Sequence, residues 1–270
     1  LAAGAHYFWK VRGCCDEAAT NCVEYSLSQF WTDNSMIGWW KFDEGSGLTA
    51  FDSAALYGLN NGDLIGGAEE DFWRTDVGID GSLQLNGSNN GVDLSPHTYN
   101  LALGVGTGLT IEAPFQTNRT VGDEQAIFSM LDRSDLEPRF QLSISGDSIY
   151  AIVVQSPASA SLIEIGSSGG VAVGQFHHTA MAYDPENPAT MTLSVDGELA
   201  ATGSDILDLG AAMFNATAIG ARPLDAGADF FFDGLIDEVI LYHSALSLEA
   251  VRNSYCAVET LAGTDPLPEV

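Results

Sequence analysis

Basic residues are scarce in this chain. Its 270 residues hold 9 Lys+Arg against 37 Asp+Glu, a formal net charge of −28. A surface of that sign repels phosphate backbones and anionic lipid headgroups, which makes nucleic acid a poor partner. Two readings of the charge remain: binding of divalent cations, or a solvated acidic coat suited to salty water. Lysine occurs only as Lys10 and Lys41, which leans toward the saline reading. Long apolar runs are missing too, and no stretch has the roughly 18 consecutive apolar residues of a membrane span. No internal repeat of about 20–50 residues is visible. "GVGTG" at 104–108 is followed by no Lys and opens no helix, so it is no phosphate loop. Ser46 in "GSGLTAFDS" has no strand–turn–helix context and no His partner in sight, so it is no nucleophile motif.

Cysteine is sparse: Cys14, Cys15, Cys22 and Cys256. Zinc sites usually space their ligands as close pairs with His support, which is missing here. Disulfides fit better and imply an oxidising compartment. Adjacent cysteines rarely bond each other because the ring is strained. The expected pattern is one short loop from Cys22 to Cys14 or Cys15, and one long closure from the other to Cys256. The opening "LAAGAHYFWKVRG" lacks the basic and long apolar regions of a signal peptide. It reads as a processed N-terminus or as the end of a longer hydrophobic segment.

What is present is a succession of short strands. Apolar residues make up 46% of the chain, enough for a sizeable core, and 29 glycines with 9 prolines supply turns. Residues 1–36 form a separate aromatic and cysteine-bearing segment, with a short helix or turn expected within 15–31. From Ile37 onward "MIGWWKF", "GSLQLNG", "NGVDL", "LTIEAPFQT", "QAIFSML", "FQLSIS", "SIYAIVVQ" and "HHTAMAYD" read as strands. "ATMTLSVDGELAATG" reads as a hairpin turning at Asp196-Gly197. Pro114 in "TIEAPFQTN" marks an edge strand or a bulge. "SLEAVRNSYC" is the one convincing helix, with Ser247 as its N-cap. Regular strands with almost no helix predict an all-β fold, a sandwich or barrel.

Two stretches carry more than periodicity. "GWWKFDEGSGLTAFDSAALYGLNNGDL" at 38–64 and "FFFDGLIDEVILYHSALSLEAVRNSY" at 230–255 resemble the opening and closing signatures of the LamG-like jelly-roll family, relatives of laminin G, pentraxin and legume-lectin sandwiches. "GQFHHTAMAYDPENPATMTLSVDGELAATG" is similar to the family's central hairpin, with Phe176 where Trp is usual. The resemblance covers residues 37–256 and implies a two-sheet antiparallel, concanavalin A-like jelly-roll sandwich. An N-terminal arm over 1–36 and a tail over 257–270 would flank it. It also implies that the first and last strands meet, which brings Cys256 back to the N-terminal cysteines.

The resemblance further implies a structural calcium where the 44–61 loops meet the "IDEV" strand. The matching residues are Glu44, Asp52, Asn60, Asn61 and Asp237, and oxygen-rich loops suit that ion. The competing role is local hydrogen bonding, with Asp52 making a turn and Asp237 capping a loop. His177 and His178 cannot chelate one ion from one face, because neighbours on a strand point to opposite faces. Asn86, Asn118 and Asn215 head N-glycosylation triplets, which arise often by chance.

The function expected from these features is a non-catalytic extracellular recognition or adhesion module for carbohydrate or another surface protein. An alternative is a structural subunit of an extracellular filament assembled through its arm, where Tyr7, Phe8, Trp9 and Val11 would leave an apolar patch in water. A fold-back of the arm beside Cys256 is the other way to bury that patch. A glycan-cleaving enzyme is a weaker alternative, because no paired catalytic carboxylates are evident.

Overall fold

The computed structural model describes residues 10–14, 22–26, 35–54, 60–95, 108–132, 137–154, 162–185, 189–206, 216–224 and 227–261. In chain order the strands are β1 (Lys10–Cys14), β2 (Cys22–Ser26), β3 (Met36–Trp40), β4 (Thr49–Ala50), β5 (Gly62–Ile65), β6 (Trp73–Arg74) and β7 (Ser82–Asn86). Next come β8 (Gly91–Asp93), β9 (Leu109–Thr117), β10 (Gln125–Asp132), β11 (Glu137–Ser145), β12 (Ser148–Val154), β13 (Leu162–Gly166) and β14 (Phe176–Asp184). The series ends with β15 (Ala189–Val195), β16 (Glu198–Ile206), β17 (Ala216–Ile219), β18 (Arg222–Leu224), β19 (Gly227–Asp229), β20 (Asp233–Ile236) and β21 (Val239–Tyr242), followed by the helix α1 (Leu248–Leu261).

Two antiparallel sheets form the sandwich. One has eight strands in the order β13-β12-β11-β10-β17-β8-β5-β4. The other has nine, running β16-β15-β14-β9-β20-β7-β6, with β21 pairing β9 and β3 pairing β21. The first and last sandwich strands therefore meet, as a jelly roll requires. Leu109, Ile111, Ala113 and Phe115 of β9 face Phe128, Met130, Phe140, Leu142 and Ile144 of the opposite sheet in one buried core. Each fully buried side chain of this size is worth about 1.5–3 kcal/mol, so the alternation of these strands drives the two sheets together.

Several expectations meet their structures closely. The Asp196-Gly197 turn has φ of +50° and +72°, the doubly left-handed pair of a tight hairpin. Ser247 caps α1, its hydroxyl accepting from the Ala250 N–H at 3.2 Å. The helix continues to Leu261, past the expected start of the tail at 257.

Two local expectations change. Within the segment expected to hold a short helix or turn, residues 22–26 form β2, which pairs antiparallel with β1 and sets Cys14 opposite Cys22; the rest of that segment, 15–21 and 27–31, lies outside the described residues. Val11 of the arm lies opposite Tyr25 within the same chain, and β1 packs against α1. That is the fold-back arrangement for this part of the arm; Tyr7, Phe8 and Trp9 lie outside the described residues. Pro114 is on neither an edge nor a bulge. It sits mid-strand in β9, where that strand's neighbour changes from β21, pairing residues 110–112, to β20, pairing residues 115–117. The changeover leaves no ladder hydrogen bond for a proline to break, and the Pro114 carbonyl accepts from the Asp237 N–H at 3.0 Å.

Cys256 is buried and disulfide-bonded. The side chains of Cys14 and Cys22, and all of Cys15, lie outside the described residues, as do the pairings expected of them.

Candidate functional site

The five residues expected to bind calcium fall into separate groups. Asp52 is buried and its carboxylate is fully engaged. Its Oδ1 accepts from the N–H groups of Trp39 at 2.9 Å and Ala54 at 2.8 Å. Its Oδ2 accepts from the Asn60 N–H at 2.9 Å and the Asn60 amide at 3.0 Å. The Asn60 amide also reaches the Ile37 carbonyl at 2.9 Å. Asn61 accepts from the Asp52 N–H at 3.0 Å. Glu44 accepts from the Phe51 N–H at 2.7 Å, and burial raises its pKa. Four donors on one carboxylate make Asp52 a hub that ties β3 to the loop before β5.

Asp237 lies elsewhere, against the 77–81 turn. Its Oδ2 accepts from the Ile79 N–H at 2.7 Å, and its Oδ1 from the Glu238 N–H at 2.9 Å. Gly78, with φ of +91°, passes so close that a Cβ there would stand 2.6 Å from Asp237 Oδ2. Burial pushes the Asp237 carboxyl up to about 8, and Glu238 and Asp43 add repulsion. Burial likewise pushes Glu238 to about 7, although its bond from the Trp39 indole N–H and the charge of Lys41 pull it down. Ser82 Oγ is buried there without a hydrogen-bond partner. Among the described residues no group of three or more His, Cys, Asp or Glu side chains is arranged to hold a metal ion. The donors around Asp237 are hard oxygens and suit calcium in kind, but a cation there would draw most of its shell from backbone carbonyls and water.

The histidine pair behaves as strand geometry requires. His177 Nε2 accepts from the Ala172 N–H at 3.0 Å, so Nδ1 carries the proton and donates to Asp196 at 2.9 Å. His178 points to the opposite face, beneath α1, with its ring 6.0 Å from that of Tyr255. Burial drives its pKa down to about 4.

Sequence reasoning missed Glu112. It sits on β9 beside the helix, fully buried, with both carboxylate oxygens lacking a geometric hydrogen-bond partner. Burial pushes its pKa up to about 8, opposed only by the Ser254 hydroxyl. Its place on a strand that alternates Leu109, Ile111, Ala113 inward marks it as outward-facing. Nothing in the sequence shows that α1 would cover that face.

Beyond the helix, part of the outer face of the nine-stranded sheet is accessible along one cross-strand row. Gln84 stands opposite Leu235, Leu235 opposite Gln116, and Gln116 opposite Phe176. Gln84 is exposed, Gln116 and Phe176 half-buried. Asn86 and Asn118 are exposed nearby, their amides donating to Asn89 at 2.8 Å and Asp233 at 3.0 Å; Asn215 lies outside the described residues.

Two packed antiparallel sheets with the first and last strands paired define a lectin-type jelly-roll sandwich. Residues 86–252 match the family model of the concanavalin A-like lectin/glucanases superfamily, and the chain belongs to that family. No curated protein matches it in sequence. Among solved structures it is similar to domain 4 of AbnA, an extracellular arabinanase from Geobacillus stearothermophilus, in complex with arabinotriose. Identity is 19%, coverage 84% of this chain and 98% of that one, and TM-score 0.58. It is also similar to the CBM40 of Ruminococcus gnavus IT-sialidase bound to α2,3 sialyllactose, at 18% identity over 64% and 96% of the two chains with TM-score 0.56. The receptor-binding domain of botulinum neurotoxin type G aligns at 15% identity over 82% of this chain and 51% of that one, with TM-score 0.55. At these identities the likeness establishes the shared fold.

Proposed function

We propose that this protein is a non-catalytic carbohydrate-binding module that works outside the cell. The observation that carries the reading is the amide-bearing cross-strand row on the outer face of the nine-stranded sheet, on a fold shared with modules solved with arabinotriose and sialyllactose. The disulfide at Cys256 supports an oxidising compartment. The carboxyls with raised pKa support binding over catalysis. Asp237 is held by two backbone N–H groups, Glu238 by the Trp39 indole, and Glu112 lies under the helix. Glu44, the fourth, accepts from the Phe51 N–H, so each of these described carboxyls has a local structural role, unlike the paired acids of a glycosidase. The test is affinity electrophoresis and calorimetry of the chain against soluble neutral and anionic polysaccharides. Measurable retention by at least one glycan is expected; no binding to any member of the panel would sink the proposal.

The calcium expectation carries forward only at Asp237, as a structural ion. On that reading, added CaCl2 raises the melting temperature of the wild-type chain, chelator reverses the rise, and Asp237→Asn abolishes the response. An unchanged melting temperature in calcium and in chelator removes calcium from the proposal.

A further inference from the structure

Resting on the carbohydrate-binding reading, we infer that the row Gln84–Leu235–Gln116–Phe176 is a binding strip for a linear, uncharged glycan. The four residues are direct cross-strand partners on β7, β20, β9 and β14, so their side chains share the outer face. Adjacent strands lie about 4.8 Å apart, so three steps span about 14 Å. Each step is close to the length of one sugar ring in an extended chain, so the strip accommodates about three rings.

The side-chain chemistry alternates in the way a sugar surface does. The two glutamines each offer a donor and an acceptor that can bridge neighbouring hydroxyls. Leu235, at 6% exposure, forms an apolar floor between them, and Phe176 closes the row with a half-buried aromatic ring for C–H contacts. Arg74 donates to Gln84 Oε1 at 3.4 Å, which leaves the amide NH2 of Gln84 as its donor for a ligand. The backbone groups of these strands are committed to their ladders, so the row cannot add a peptide strand and presents side chains alone.

Charge selects among glycans. The charged groups beside the strip are matched with each other, Arg74 with Asp76 at 2.9 Å and Arg119 with Asp233 at 3.7 Å. On a chain of net charge −28 an anionic polymer gains no attraction and meets long-range repulsion. The occupant that complements this face is therefore neutral.

The experiment is affinity electrophoresis of the full chain in linear arabinan, dextran, mixed-linkage β-glucan and polygalacturonate, with wild type and a Gln84→Ala/Gln116→Ala variant. Both glutamines are at the surface, so the variant should melt within about 1–2 °C of wild type. The expected result is retention by a neutral polysaccharide, none by polygalacturonate, and a loss of about tenfold or more in affinity for the variant. A Gln116→Glu variant, which adds charge at the centre of the row, should bind no better than the double alanine. Wild-type binding that survives in the double variant would place the glycan elsewhere and overturn the strip while leaving the carbohydrate reading intact. Preference for polygalacturonate would overturn the strip as well. Absence of binding to all four polymers would overturn the strip together with the reading it rests on.

Discussion

Asp52→Ala is expected to be among the most destabilising single substitutions in the sandwich. Four N–H donors converge on this buried carboxylate, three from backbone and one from the Asn60 amide. Alanine leaves all four without an acceptor. Hydrogen bonds to a charged group contribute about 1.5–3 kcal/mol each, and orphaned buried donors cost about 1–3 kcal/mol. Because the four share one partner their contributions do not add, so a loss of about 4–6 kcal/mol is expected, a large part of a typical domain's stability. Asp52→Asn keeps one acceptor oxygen and should lose about half as much. Urea midpoints from circular dichroism measure both. A loss below about 1 kcal/mol for the alanine variant would show that the hub is dispensable. The loss should be the same in calcium and in chelator, which separates a hydrogen-bonding hub from a metal ligand.

Glu112→Gln is expected to act in the opposite direction, increasingly as pH rises above about 4.3. The folded carboxyl has its pKa raised to about 8 by burial. In the unfolded chain it ionises near the ordinary value of about 4.3. The folded state therefore holds a proton that the unfolded state has released. Its contribution is fully present below the unfolded pKa and is lost as pH rises toward 8. Glutamine has no proton to hold, so the variant should match wild type near pH 4 and exceed it at pH 8.5. A gain of about 2–3 kcal/mol is expected after allowing for the amide's own burial, or roughly 5–10 °C in melting temperature for a chain of this size. His178 works with the opposite sign. Its pKa, depressed to about 4, removes stability as pH falls below its ordinary range. Wild type should thus be most stable in mildly acidic solution. Melting curves from pH 4 to pH 9 that run parallel for wild type and Glu112→Gln would refute this account.

Much of the fold was legible because strand alternation is local. "LTIEAPFQT" sorts its residues by parity, and β9 spans that same stretch, Leu109–Thr117. The Asp196-Gly197 turn and the Ser247 cap depend on residues a few positions apart, so they too could be read directly. In the N-terminal segment β2 was not legible, because its pairing with β1 is a contact between strands and the acidic residues and loosely helical apolar spacing there carry no sign of it. Pro114 misled for a related reason. The rule against proline in a central strand assumes a continuous neighbour, and here the neighbour is two strands end to end.

The site shows the same division. Asp52, Asn60 and Asn61 stood out as an oxygen-rich loop, and they do form one cluster. What the loop alone does not show is that both oxygens of Asp52 accept from nearby donors, three on the main chain and one on the Asn60 amide. The sequence by itself determined which residues point inward, where the hairpins turn and that the surface is strongly acidic, because side-chain parity, turn φ and charge are properties of short segments. Only the tertiary structure decided which outward faces stay open. Helix α1 covers Glu112 and His178, while Gln84 stays exposed and Gln116 and Phe176 half-exposed, and that depends on how elements far apart in the chain pack, which no local pattern encodes.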